Sequence, residues 1–92
     1  MLERQVIITN RLGLHARAAA RLVRTASACR SVVRLERIDG ISSADAKSIL
    51  SVLMLAAARG TPLRVTTEGA DEAEAIDAVC ALIETGFGET EE

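Results

Sequence analysis

The stretch Gln5-Val6-Ile7-Ile8-Thr9-Asn10-Arg11-Leu12-Gly13-Leu14-His15-Ala16-Arg17-Ala18-Ala19-Ala20 changes its hydrophobic period partway along, and that change organises the chain. Residues 5–9 are a short β-branched run, and Asn10-Arg11-Leu12-Gly13 punctuates it, so a strand is followed by a loop. From Ala16 to about Ser27 the pattern is helical. Ala19, Leu22, Val23 and Ala26 fall on one stripe, and Arg17, Arg21 and Arg24 on the opposite one.

Downstream, residues 32–38 alternate, with Val33 and Leu35 facing one way and Arg34 and Glu36 the other. Asp39-Gly40 is a strong hairpin signal, and Ile41 is expected to open a brief return strand. A second helix is expected over residues 46–58, closed by Gly60 and followed by Pro62. Leu63, Val65 and Thr67 alternate with Arg64 and Thr66 in a further strand, which Gly69 breaks. Asp71 or Ala70 caps a last helix, whose buried stripe is Ile76, Val79, Cys80 and Ile83, with Glu74, Asp77 and Glu84 outside. Asp71, Glu72 and Glu74 suit its positive start. The order is β-α-β-β-α-β-α. It predicts an α/β (α+β) open-faced sandwich, a four-stranded antiparallel sheet covered on one face by three helices. Residues 1–88 form the single domain, and the acidic residues 89–92 are expected to fray.

Composition narrows the function. The chain has 92 residues, 49% hydrophobic, which suits one small core. Phe87 is the only aromatic residue, so no platform exists for stacking bases, and a net charge of −2 argues against a phosphate backbone as partner. Two cysteines and one histidine are too few for a structural zinc, and no metal site is expected. Cys29 and Cys80 read as free thiols of a reducing compartment. The longest apolar run, residues 52–58, is far short of a membrane span, and no signal pattern opens the chain. The expected setting is a cytoplasmic monomer without membrane insertion. Charge is unevenly spread: residues 1–37 carry eight arginines against Glu3 and Glu36, a balance of +6, and the remainder carries −8. One basic face would steer an acidic partner.

The only histidine lies where the glycine-containing loop becomes the first helix. Gly13 lets the chain turn sharply. His15 is then at or beside the N-cap, where the amides of Ala16, Arg17 and Ala18 point outward and the helix dipole adds positive potential. Arg17 supplies a guanidinium able to grip two phosphate oxygens. The same field favours an uncharged, nucleophilic ring. The site therefore suits a nucleophile inside a phosphate cradle, able to carry a phosphoryl group and not to hydrolyse one. The residues alone leave a plain capping role open.

Leu12-Gly13-Leu14-His15-Ala16-Arg17-Ala18-Ala19-Ala20 resembles the phosphorylation-site motif of the HPr family, the histidine phosphocarriers of the sugar phosphotransferase system. Ala46-Lys47-Ser48-Ile49-Leu50-Ser51-Val52-Leu53-Met54-Leu55-Ala56 looks like that family's second signature, around its regulatory serine. The resemblance spans essentially the whole chain and implies the HPr-like form of the open-faced sandwich. It implies that His15 accepts a phosphoryl group on Nδ1 from enzyme I and passes it to IIA domains, that Arg17 stabilises the phosphate, and that no cofactor is needed. Two departures stand out: Ala18 replaces the proline usual after the arginine, and the connection over residues 39–45 is slightly longer.

The second helix is apolar on two sides. Val52 and Leu55 project one way, and Ile49, Leu50 and Leu53 nearly the other, more apolar surface than a small core absorbs. The resemblance makes this a docking face, with Ala20, Arg21, Arg24 and Lys47 around it, and makes Ser48 a target for an HPr-type serine kinase/phosphorylase. A phosphate there would add negative charge to that face. Two other functions compete: a sibling carrier of a nitrogen-related phosphorelay (NPr-like), and, from another class, a non-catalytic metabolite-sensing module.

Overall fold

A computed structural model describes residues 1–40 and 42–89. Four strands, β1 (Leu2–Ile7), β2 (Val32–Arg37), β3 (Ser43–Asp45) and β4 (Pro62–Glu68), form one sheet in the order β1-β4-β2-β3. Every pairing is antiparallel: Leu2 opposes Thr67, Val33 opposes Thr67 on the other side, and Glu36 opposes Ser43. Helices α1 (Ala16–Ser27), α2 (Ile49–Met54) and α3 (Glu72–Glu84), with a 3-10 turn at Gly86–Gly88, complete the order expected from sequence.

Alternation along the strands explains the two layers. Val6, Val33, Leu35, Leu63, Val65 and Thr67 are buried with Leu22, Val52, Ile76, Val79 and Ile83 of the helices. The alternate positions make the other face, where Arg64 meets Glu36 at 2.6 Å and Glu3 at 3.3 Å. Ala18, Ala19, Leu22 and Ala26 form the buried stripe of α1, with Val23 packed at its edge. The anticipated α3 stripe is buried, Asp71 is its N-cap, and Cys29 and Cys80 are free thiols.

Three boundaries differ from the sequence reading. Strand β1 starts at Leu2 rather than near Gln5, because β4 offers a pairing partner along its whole length. The return strand is Ser43–Asp45, and the expected start at Ile41 lies outside the described residues.

The third difference is helix α2, which covers Ile49–Met54 instead of residues 46–58. Its alanine-rich flanks have high helix propensity, but long-range hydrogen bonds outcompete it. Before the helix, the Ala46 amide donates to the Val33 carbonyl (2.9 Å) and the Lys47 amide to the Asp45 carboxylate (2.9 Å). After it, Arg37 takes the carbonyls of Leu55 (3.0 Å) and Ala56 (3.4 Å), and the Leu14 amide takes that of Ala57 (2.9 Å). Ala56 consequently adopts φ 51°, opposite in sign to the right-handed helical value.

Candidate functional site

The loop between β1 and α1 is fixed from both sides. Buried Asn10 donates from Nδ2 to the Gly13 carbonyl (2.8 Å), and the Gly13 amide donates to the Asn10 carbonyl (3.1 Å). Gly13 has φ +66°, and a Cβ there would lie 2.6 Å from the Ala57 carbonyl oxygen. Only glycine allows both the left-handed turn and that close approach. The loop therefore docks on the segment leaving α2, and His15 is delivered to the start of α1.

His15 is the N-cap of α1, in extended conformation (φ −77°, ψ 178°). Its Nδ1 accepts a hydrogen bond from the Arg17 amide at 3.3 Å, and its carbonyl accepts from the Ala19 amide at 2.8 Å. The ring is partly exposed, with 23% of its side-chain surface accessible. On its far side, Nε2 contacts Oε2 of Glu89. The other Glu89 oxygen accepts from Asn10 Nδ2 at 3.0 Å. Burial works to raise the Glu89 carboxyl, but hydrogen bonds from Asn10 and His15, helped by the charge of Arg17, outweigh it and hold it below its usual range.

Glu89 opens the acidic segment 89–92 expected to fray, and residues 90–92 lie outside the described residues. It follows the 3-10 turn, in which Phe87 is buried with φ 59°, and the Glu89 amide donates to the Gly86 carbonyl (3.0 Å). Arg21 reaches across from α1 and donates from Nη1 to the Phe87 carbonyl. No local pattern announces this clasp, because it joins residues 74 positions apart.

The other anticipated site residues fall into distinct surroundings. The guanidinium-bearing residues Arg17 and Arg24 are exposed, as is Ala16, whereas Ala18 is fully buried and Ala20 half-buried. Arg21 is engaged with Phe87, and Lys47 donates from Nζ to the Cys29 carbonyl (2.9 Å), so neither basic group projects freely. Ser48 caps α2, its Oγ accepting from the Ser51 amide (3.4 Å). Ile49 and Leu50 are exposed, but Leu53 packs against the core. Met54, one turn beyond Leu50, and Leu12 are exposed apolar residues that the sequence reading omitted. Helical spacing from Leu50 is the signal that would have found Met54. Among the described residues, no group of three or more His, Cys, Asp or Glu side chains could hold a metal, and no helix is long and apolar enough to cross a membrane.

The structure is thus an open-faced sandwich with a histidine capping its first helix, and comparison with known proteins gives the family. The model of the PTS HPr component phosphorylation site matches residues 2–85. The chain is 50% identical over 91 residues to the phosphocarrier protein HPr of Cupriavidus necator, covering 99% of this chain and 100% of that one. It is 43% identical to the phosphocarrier protein NPr of Proteus mirabilis over 86 residues, 94% of each. The structure of HPr-C-His from Thermoanaerobacter tengcongensis superposes with a TM-score of 0.91 at 41% identity, covering 99% of this chain and all of that one. The chain belongs to the HPr family. That makes it a phosphocarrier of the phosphotransferase system.

Proposed function

We propose that this protein takes a phosphoryl group from phosphorylated enzyme I onto Nδ1 of His15 and gives it to IIA domains of the sugar phosphotransferase system. The observation that carries the reading is the hydrogen bond from the Arg17 amide to Nδ1. An accepting nitrogen carries a lone pair and no hydrogen, and that lone pair is the nucleophile once the amide turns to an incoming phosphoryl oxygen. In the transfer, an Nδ1–P bond forms as the donor's bond to phosphorus breaks, with that bond's electron pair leaving on the donor. The Arg17 amide, the first-turn amides of Ala16 and Ala18, and the Arg17 guanidinium are suited to receive the phosphoryl oxygens. Ala18 keeps an amide hydrogen where the family usually has proline.

Ile49 and Leu50, exposed beside the Ser48 cap, would dock the partners, with Arg24 meeting their acidic groups. Phosphorylation of Ser48 by an HPr-type kinase would place two negative charges at that surface and weaken docking. Both HPr- and NPr-named proteins are relatives, and the 50% identity to an HPr favours the sugar branch over the nitrogen-related one. Incubation with enzyme I and phosphoenolpyruvate tests the reading. Acid-labile, alkali-stable label on the wild-type chain, lost in His15→Ala, is expected. Label persisting in His15→Ala, or none on the wild type, would overturn it.

A further inference from the structure

We propose that Glu89 is a positioning residue for the phosphoryl transfer: its carboxylate holds the proton of His15 on Nε2, which presents Nδ1 as the nucleophile and keeps the phosphorylated ring protonated. The inference rests on the phosphocarrier reading above. Its starting point is that both faces of the imidazole have a partner, Glu89 Oε2 at Nε2 and the Arg17 amide at Nδ1. A carboxylate accepts hydrogen bonds and an amide nitrogen donates them, so the two contacts select the same tautomer, with hydrogen on Nε2 and the lone pair on Nδ1.

The carboxylate is itself fixed. Its second oxygen is occupied by Asn10, which also spans the loop to Gly13, and its backbone amide is tied to Gly86. Buried Phe87 anchors the turn two residues earlier, with Arg21 on its carbonyl. Among the described residues, the charged side chains placed at the ring are thus Glu89 and Arg17, with Arg21 spent on the backbone. Glu89 is only 15% exposed, so its charge is weakly screened.

The chemistry uses this arrangement without moving a proton. When Nδ1 of the neutral ring attacks phosphorus, the ring keeps its Nε2 hydrogen and gains a positive charge, which the carboxylate faces at contact distance. On transfer to an acceptor, the N–P bond breaks, its electron pair returns to Nδ1, and a neutral imidazole leaves. Without the carboxylate the phosphorylated ring sheds its Nε2 proton more readily, and the leaving group becomes an imidazolide anion, a much poorer one. Glu89 would therefore strengthen Nδ1 as a nucleophile while the ring gains charge, and keep imidazole rather than imidazolide as the leaving group.

The test uses the full-length chain, nitrogen-15 labelled, in long-range proton–nitrogen spectra at neutral pH. Wild-type His15 is expected as one tautomer with hydrogen on Nε2, and Glu89→Ala as a mixture of both. Glu89→Gln retains an acceptor oxygen without the charge. It is expected to keep the tautomer yet slow phosphorylation of His15 by phosphorylated enzyme I about tenfold, with KM unchanged, and Glu89→Asp to restore most of the rate. Hydrogen on Nδ1 in the wild type, or unchanged tautomer and transfer rate in Glu89→Ala and Glu89→Gln, would overturn the proposal. The spectra need no phosphoryl donor, so a chain that shows the expected tautomer but takes no label fails the phosphocarrier reading and not this one.

Discussion

Asp71 holds Ser31 by both of its polar hydrogens, accepting from the Ser31 amide at 2.9 Å and from its hydroxyl at 2.5 Å through one carboxylate oxygen. The other oxygen accepts from the Arg30 amide at 2.9 Å. The start of α3 is thereby stitched to the turn that enters β2, across forty residues of chain. The Ser31 hydroxyl, followed by the backbone amides, lowers the Asp71 carboxyl from 3.8 to about 2. A group depressed in the folded state contributes stability above its unfolded value, and that contribution disappears as pH falls through the folded value. Asp71→Asn is expected to lower the urea midpoint at pH 7, and the gap from wild type to close between pH 4 and about 2. A gap constant over that range would show that the charge is irrelevant.

Gly13→Ala strains the loop twice, through its left-handed φ of +66° and a Cβ 2.6 Å from the Ala57 carbonyl oxygen. Neither backbone has freedom to yield, since Leu14 donates to that same carbonyl. A loss of about 2–3 kcal/mol is expected in chemical denaturation, together with slower phosphorylation of His15. A variant as stable as the wild type would mean that the loop relaxes away from α2.

Leu50→Ser separates docking from folding. The side chain is 66% exposed, so stability should change by no more than about 0.5 kcal/mol. If this surface docks enzyme I, KM for phosphorylation is expected to rise about tenfold, with kcat little changed. An unaltered KM would remove Leu50 from the interface.

Ser48→Ala removes the hydroxyl that receives the Ser51 amide. It should cost about 1 kcal/mol, read from the thermal midpoint, and leave phosphorylation of His15 nearly intact. Ser48→Asp keeps a capping oxygen while adding charge, so it is expected to fold normally and to slow phosphorylation by enzyme I. Equal rates for the two variants would argue that charge at this position does not govern docking.

The sequence was most legible where one structural demand was met by neighbours in the chain. His15, Gly13 and the arginine face of α1 lie within twelve residues, and hydrophobic period plus capping logic located them. The strand faces followed in the same way from Val33 and Leu35 against Arg34 and Glu36. What stayed hidden was decided at a distance. The short α2 depends on Arg37 capturing Leu55 and Ala56, although its own alanines favour a longer helix. Arg21 looks like a solvated surface charge until Phe87 folds back beneath it, and Glu89 looks like one more acid in a polar tail.

Phe87 and His15 are the only ring-bearing side chains apart from Pro62, and they stand at the two ends of the link formed by Arg21, the 3-10 turn and Glu89. With no Trp or Tyr to crowd the aromatic region, a one-dimensional proton spectrum in heavy water contains carbon-bound signals from just these two rings. One sits in the hydrocarbon interior and the other is partly exposed at the start of α1. The molecule thus carries its own pair of native reporters, and whether the link is closed or released is readable from unlabelled material in a single trace.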